Sequence, residues 1–257
     1  MEVQILGAHN AEAKGLRLTS FLIDGVLAID AGGLTSSLTL SEQQRIKAVL
    51  LTHHHFDHAR DLVTLGFNGS NFSAPVEVYA LSQAFDIINS CLLDGRMYVD
   101  FSRWPSEEHP FLQLKSIKPF ENRVVEGYDV LAVPVKHAVP TVGYQVTSAD
   151  GKSVFYTGDT GPGLAACWER ISPQLLLIEV SGLNNVGDFL ESVGHLSAQL
   201  LKGELIQFRK IKGYLPRVVI VHIPPQHQGE VEQEVGEVAQ ELGVSIDMGY
   251  EGMKITL

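Results

Sequence analysis

Short apolar runs broken by glycine-containing turns recur along the chain, and their periods predict strands alternating with helices. Residues 16–23 and 26–29 are largely apolar and are separated by Asp24-Gly25, a dipeptide that favours the tight turn of a β-hairpin. The second run ends at Asp30-Ala31-Gly32-Gly33, a glycine-rich turn. Residues 40–45 have helical spacing, and 48–51 form a short β-rich run ending at Thr52. A strand is predicted at 76–80 and a helix at 82–93.

A weak internal repeat follows. Residues 143–146 and 153–156 predict a second hairpin, which turns through Asp150-Gly151 and ends at Thr157-Gly158-Asp159-Thr160-Gly161. Residues 218–221 form an apolar strand ending at His222, much as 49–51 end near His53. Each half thus offers a hairpin, an Asp-containing glycine turn, a helix, and a strand ending in histidine. Two such βα half-repeats packed face to face predict an α/β fold, a four-layer αββα sandwich with helices outside two central sheets. Further helices fit 164–170, 194–208 and 231–242, and strands fit 245–248 and 253–257. No linker, charge run or low-complexity stretch divides residues 1–257, so one domain is expected.

Composition narrows the setting. Hydrophobic residues make up 45% of the 257 positions and charged residues 19%, which suits a globular chain with a sizeable core. The two cysteines, Cys91 and Cys167, form neither a redox nor a metal-binding spacing and fit a reducing compartment. Residues 1–15 show no secretory leader pattern. No stretch approaches the roughly 18 apolar residues that span a bilayer. A cytoplasmic protein is expected, with no membrane partner. The formal charge of −11 argues against a long nucleic acid, which is held largely by Lys and Arg. A small anionic substrate remains compatible, since bound cations make one pocket locally positive. A homodimer is equally compatible with the composition.

The candidate chemistry centres on Thr52-His53-His54-His55-Phe56-Asp57-His58. His53, His55 and Asp57 alternate, so an extended backbone would send all three to one side, with His58 following in a turn. Imidazole and carboxylate donors suit Zn²⁺, Mn²⁺ or Fe²⁺ without a thiolate. A histidine-rich surface loop is the plainer explanation of such a run. Weighing against it are three more candidates at predicted strand ends: His137 after 133–135, Asp159 in the second glycine turn, and His222. Together they exceed what one ion takes and suit two ions about 3.5–4 Å apart. One division gives His53, His55 and His137 to the first ion, Asp57, His58 and His222 to the second, and Asp159 to both. The expected cofactors are two divalent ions, zinc foremost, with manganese or iron as alternatives. A hydroxide between them is the expected nucleophile, because a bound dication lowers the pKa of water toward about 7.

His53-x-His55-x-Asp57-His58, His137, Thr157-Gly158-Asp159 and His222 resemble the metallo-β-lactamase superfamily, and the resemblance runs from Leu16 to the end. It implies the αββα sandwich, a dinuclear site along one edge of the two sheets, Asp30 as an organiser behind the ligands, and His54 pointing away. Glu179, at the end of the apolar run 175–178, and His195, within Gly194-His195-Leu196-Ser197 at a predicted helix start, narrow the branch. Singly each has an ordinary explanation. Together they resemble the phosphodiesterase branch, where such a histidine donates a proton or contacts phosphate and the glutamate orients it. The segment 137–144 is similar there too. Leu18-Thr19-Ser20-Phe21-Leu22, Asp30-Ala31-Gly32 and Gly194-His195-Leu196-Ser197 resemble class II cyclic-nucleotide phosphodiesterases. The tRNA 3′-processing endonucleases share Glu179, His195 and the ligand candidates, but normally add a long basic arm that is not visible here.

The expectation is therefore hydrolysis of a small phosphodiester, foremost a 3′,5′-cyclic nucleotide, with Asp57, His195 and Glu179 as catalytic candidates. Alternatives are a tRNA 3′-processing-like endonuclease, hydrolysis of another ester, lactone or thioester, and, ranked last, a non-catalytic metal-binding protein. Phe56 and Ala59-Arg60-Asp61 depart from the cyclic-nucleotide pattern, and 223–227 lack the Lys or Arg often found nearby to hold phosphate. His227 is expected at the surface. Phe67, Phe101 and Trp104 are candidates for a base-stacking wall or for ordinary core packing.

Overall fold

In the computed structural model, which describes residues 1–70 and 74–257, Asp24 and Gly25 both adopt left-handed backbone angles, with φ of 46° and 74°. That is the turn geometry that matches the twist of two antiparallel strands, and the predicted hairpin forms there. The first half of the chain supplies β1 (Glu2–Gly7), β2 (Ser20–Ile23), β3 (Leu27–Ile29), β4 (Ala48–Leu50), β5 (Val76–Ala80) and β6 (Leu112–Ser116). The second half supplies β7 (Asn122–Val125), β8 (Tyr128–Pro134), β9 (Val142–Thr147), β10 (Ser153–Tyr156), β11 (Leu175–Glu179), β12 (Arg217–Val221), β13 (Ile246–Met248) and β14 (Lys254–Thr256). Between them run helices α1 (Leu40–Gln43), α2 (Phe56–Ala59), α3 (Asp61–Gly69), α4 (Ser82–Cys91), α5 (Ala165–Arg170), α6 (Gly187–Val193), α7 (Ala198–Lys212) and α8 (Gln228–Leu242).

Two seven-stranded sheets result, ordered β14-β1-β2-β3-β4-β5-β6 and β13-β12-β11-β10-β9-β8-β7. In each, an antiparallel hairpin (β2–β3, β9–β10) leads into parallel strands (β4 to β6, β11 to β13). The period of two along a strand sorts side chains into layers. Ala48 and Leu50 of β4 face inward with Leu175 and Leu177 of β11, and all four join one cluster between the sheets. Val49 and Leu51 face the other way, under Leu62 and Leu65 of α3 and Phe85 and Ile88 of α4. Leu176 and Ile178 pack outward against Trp168 of α5, Leu201 and Leu205 of α7, and Val231 and Val235 of α8. Helix, sheet, sheet and helix are the four expected layers. Strands buried on both faces read as continuous apolar runs, which is why the sequence made them visible.

The structure corrects two details. Residues 49–51 and 218–221 are not repeat equivalents. As first parallel strands after their hairpins, β4 corresponds to β11, so the position matching Thr52-His53 belongs to Glu179, while β12 and His222 correspond to β5. The helix expected at 194–208 begins only at Ala198, because Gly194 takes φ 79° and terminates α6, and Ser197 caps the new helix by accepting from Leu200 N. The closing strand β14 pairs with β1, so the chain ends by returning to the first sheet. Phe101 is buried with the α3–α4 cluster and Trp104 packs against it, whereas Phe67 is 55% exposed.

Leu177 sits fully buried between the sheets. Leu177→Ala should lower the free energy of unfolding by about 2–5 kcal/mol, read from the denaturant midpoint. A loss under about 1 kcal/mol would mean that the inter-sheet layer collapses around the gap.

Candidate metal centre

Past Leu51 the chain leaves the first sheet, held by Thr52 N donating to Asp30 Oδ1 at 2.8 Å. It bends at Thr52, and His55, itself extended, directly precedes α2. Asp57 and His58 are therefore brought inward by a helical turn rather than by strand alternation. In the second half, His137 follows β8, Asp159 follows β10 and His222 follows β12. All open on the same edge of the sandwich. One group consists of His53, His55, His137 and Asp159, and a second of Asp57, His58, Asp159 and His222, each with donor atoms within 4.8 Å of one another.

Asp159 lies between the groups. Its Oδ2 is 3.7 Å from His53 Nε2, 3.9 Å from His137 Nε2 and 3.4 Å from His222 Nε2, and its Oδ1 is 3.2 Å from His58 Nε2. Asp57 Oδ2 stands 3.4 Å from His58 Nε2 and 3.2 Å from His222 Nε2. His137 Nε2 and His55 Nδ1 are 3.3 Å apart. His54 belongs to neither group, and His227 lies on a short exposed turn, 3.5 Å from Glu230.

Proton accounting shows how the rings are aimed. Thr52 Oγ1 lies 2.9 and 3.1 Å from the two oxygens of Asp30, and a carboxylate can only accept, so the hydroxyl donates there. Its remaining capacity is as an acceptor, and it takes the proton of His53 Nδ1 at 3.0 Å. His58 Nδ1 donates directly to Asp30 Oδ2 at 2.7 Å, and His137 Nδ1 donates to Gly194 O at 2.9 Å. These bonds leave a lone pair on the inner nitrogen. His53 Nε2, His58 Nε2 and Asp159 Oδ1 are buried without a hydrogen-bond partner. Orphaned buried polar atoms are costly. A divalent cation in each group would satisfy them, and outer nitrogens tied to carboxylate, hydroxyl or carbonyl are what metal-bound histidines require. The residues present therefore fit such ions.

The charges of the site lean on one another. Burial, then the neighbouring His58, holds the His53 imidazole well below its usual range. Burial opposes charge on His58, but Asp159 and Asp30 outweigh it and raise its pKa. Burial also resists ionisation of Asp57 and Asp159; the surrounding histidines, His222 and His58 foremost, prevail and hold both carboxyls below the usual range. The carboxyls are thus anionic, and His58 holds its second proton more tightly than a free imidazole does, a proton that a dication would displace; oxygen and imidazole donors of this kind suit a hard or borderline dication.

Residues 19–223 match the family described as "Beta-lactamase superfamily domain". The chain belongs to the β-lactamase superfamily. Its fold is the metallo-β-lactamase αββα sandwich, which implies divalent metals. The superfamily match ends at Ile223, one residue past His222. Ribonuclease Z of Prochlorococcus marinus is 32% identical over 118 residues, a stretch covering 44% of this chain and 36% of that protein's length. Unliganded yeast PDE1 superposes with a TM-score of 0.83 at 17% identity, over 100% of this chain and 99% of that one. The short form of human tRNase Z gives 0.72 at 19%, over 100% and 99%. At such identities the likeness is one of fold.

Beside both groups of this superfamily centre stand Glu179 and His195. Glu179 is fully buried and accepts from Thr160 N at 2.8 Å, Leu196 N at 3.3 Å, Ser181 Oγ, and His195 Nδ1 at 2.8 Å. The His195 side chain is 20% exposed and stacks on His222 with ring centroids 5.6 Å apart. Burial resists its charging, yet Glu179 pushes its pKa up to about 9. One contributor gave no signal in the sequence, Ser181, a lone serine; Gly194 belongs to the Gly194-His195-Leu196-Ser197 motif, but its steric role against His137 shows only in the structure.

A Cβ on Gly194 would lie 2.6 Å from His137 Cα. Gly194→Ala should destabilise the fold by more than about 1 kcal/mol in chemical unfolding. Gly213→Ala is its control, with φ 80° and nothing within 4 Å of the added carbon. Equal losses in the two variants would show that backbone strain, not the approach to His137, governs the position.

Proposed function

We propose that the protein is a metal-dependent phosphodiesterase acting on a small phosphodiester, foremost a 3′,5′-cyclic nucleotide. The observation that carries this is the Glu179–His195 pair at the rim of the two ligand groups, with His195 Nδ1 fixed at 2.8 Å from Glu179. A leaving alkoxide must gain a proton as its P–O bond breaks, and a positioned imidazolium supplies it. With Nδ1 engaged, His195 presents Nε2 to the substrate. Two bound divalent ions would supply Lewis acidity and a water acidified toward neutrality. His53, His55 and His137 would hold one, Asp57, His58 and His222 the other, with Asp159 shared; Asp57, its side chain 27% exposed, would also orient the attacking water. Zinc is the first candidate, with manganese or iron as alternatives.

One feature supports a small substrate. The chain carries a formal charge of −11. A second reading, tRNA 3′-end processing, is favoured by the ribonuclease Z relative and by the likeness to human tRNase Z. No described helix is long and apolar enough to cross a membrane.

Protein loaded with Zn²⁺, Mn²⁺ or Fe²⁺ should turn over bis-p-nitrophenyl phosphate and cyclic AMP. Cleavage of 3′-extended tRNA without cyclic-nucleotide turnover would move the assignment to the second reading. Activity confined to a lactone or thioester would sink both, and two bound ions with no ester hydrolysed would indicate a binding protein. His195→Ala should cut kcat by roughly 10²–10⁴-fold while metal content survives; loss of metal or unchanged turnover would count against its role. Chelation should abolish activity and lower the melting temperature, since ions at 100 times Kd add about 2.7 kcal/mol to stability. A melting curve indifferent to metal and chelator would contradict the ligand assignment.

A further inference from the structure

The second half of the site contains an arrangement that mirrors the Asp30 cluster. Ser181 Oγ contacts Glu179 Oε2 and lies 2.7 Å from His222 Nδ1. One hydroxyl has one proton. The carboxylate can only accept, so Ser181 donates to Glu179 and must accept from His222 Nδ1–H. That fixes the lone pair of His222 on Nε2, which faces Asp57 and Asp159 at 3.2 and 3.4 Å. In the first half Thr52 does the same between Asp30 and His53, while His58 donates to Asp30 directly. In the second, His195 donates to Glu179 directly. Each half thus has a buried carboxylate that holds one histidine itself and a second through a hydroxyl.

We propose that Ser181 is a positioning residue that sets the tautomer and aim of His222 and, through the shared Glu179 carboxylate, ties that aim to His195. The inference rests on the two-ion reading above. It assigns the hydroxyl two effects. Without it, the buried Nδ1–H of His222 loses its acceptor and the ring no longer has one preferred tautomer. A ligand histidine deprived of its outer partner binds metal about 10–100-fold more weakly. Glu179 also loses a donor, so the geometry of His195 loosens and turnover falls more than substrate affinity does. The hydrogen bonds of Ser181 Oγ go to Glu179 and His222 and to no member of the other group, His53, His55, His137 and Asp159, which would retain its ion.

The comparison of Ser181→Thr with Ser181→Val decides the matter, because the two side chains match in volume and differ in the hydroxyl. Ion binding is read by titrating metal-free protein with Zn²⁺ against a chromophoric chelator, independently of any substrate, and kcat and KM are read on bis-p-nitrophenyl phosphate. Wild type and Ser181→Thr should bind two ions alike. Ser181→Val and Ser181→Ala should keep one ion near wild-type affinity, bind the other roughly 10–100-fold more weakly, and lose kcat with KM little changed. Overturning results are a valine variant that matches wild type in both ions and kcat, or a threonine variant that fails as the valine one does. If wild type itself binds fewer than two ions, the two-ion reading falls and takes this inference with it.

Discussion

A carboxylate sealed in a protein interior is tolerated only when its oxygens are met by donors. Asp30 is fully buried, and burial by itself raises its pKa more than any other influence on it. It is met by Thr52 N, Thr52 Oγ1 and His58 Nδ1, donors from two residues past β4 and from α2. Those bonds draw the histidine segment against the end of β3 and turn His53 and His58 so that their inner nitrogens face one space. Asp30 itself takes a left-handed backbone, φ 57°, with Asp30 N donating to Leu50 O at 2.9 Å. Asp tolerates that conformation better than most residues. The first half of the centre depends on this one buried side chain.

The second sheet solves the same problem with different residues. Glu179 ends β11, the topological counterpart of β4, and gathers Thr160, Ser181, His195 and Leu196 around a carboxylate equally shut off from water. The halves share an organising principle but not a role. Both histidines on the Asp30 side face shared Asp159, whereas on the Glu179 side His222 faces inward and His195 stands at the rim. A duplicated fold has thereby been given an asymmetric edge, with a cation-seeking interior and one titratable group beside it.

Rigidity of that edge comes from the layers behind it. Parallel strands β3 to β5 and β10 to β12 are buried on both faces and end at the same rim, so side chains just beyond them inherit the precision of the sheets. Two of the non-glycine residues with left-handed backbone lie at these ends, Asp30 and His222, both at φ 57°. His222 is held there because Ile223 N donates to Ala8 O at 3.0 Å and Asn10 N donates to Ile223 O at 3.2 Å. The N-terminal segment thus supports a ligand candidate more than two hundred residues away.

Much of this was legible in the sequence. Doubly buried strands appear as apolar runs, Asp24-Gly25 and Asp150-Gly151 as turns, and His53, His55, Asp57, His58, His137, Asp159 and His222 as donor side chains at strand ends, because periodicity and residue chemistry are local properties. The sequence also determined the sandwich and the family resemblance. Only the tertiary structure decided which strands correspond, that His195 precedes its helix rather than opening it, and that Asp57 arrives by a helical turn. It alone brought in Ser181 and showed what Thr52 and Gly194 do. A lone hydroxyl or glycine carries no pattern, and its part is set by what stands within about 3 Å of it, a distance that only packing determines.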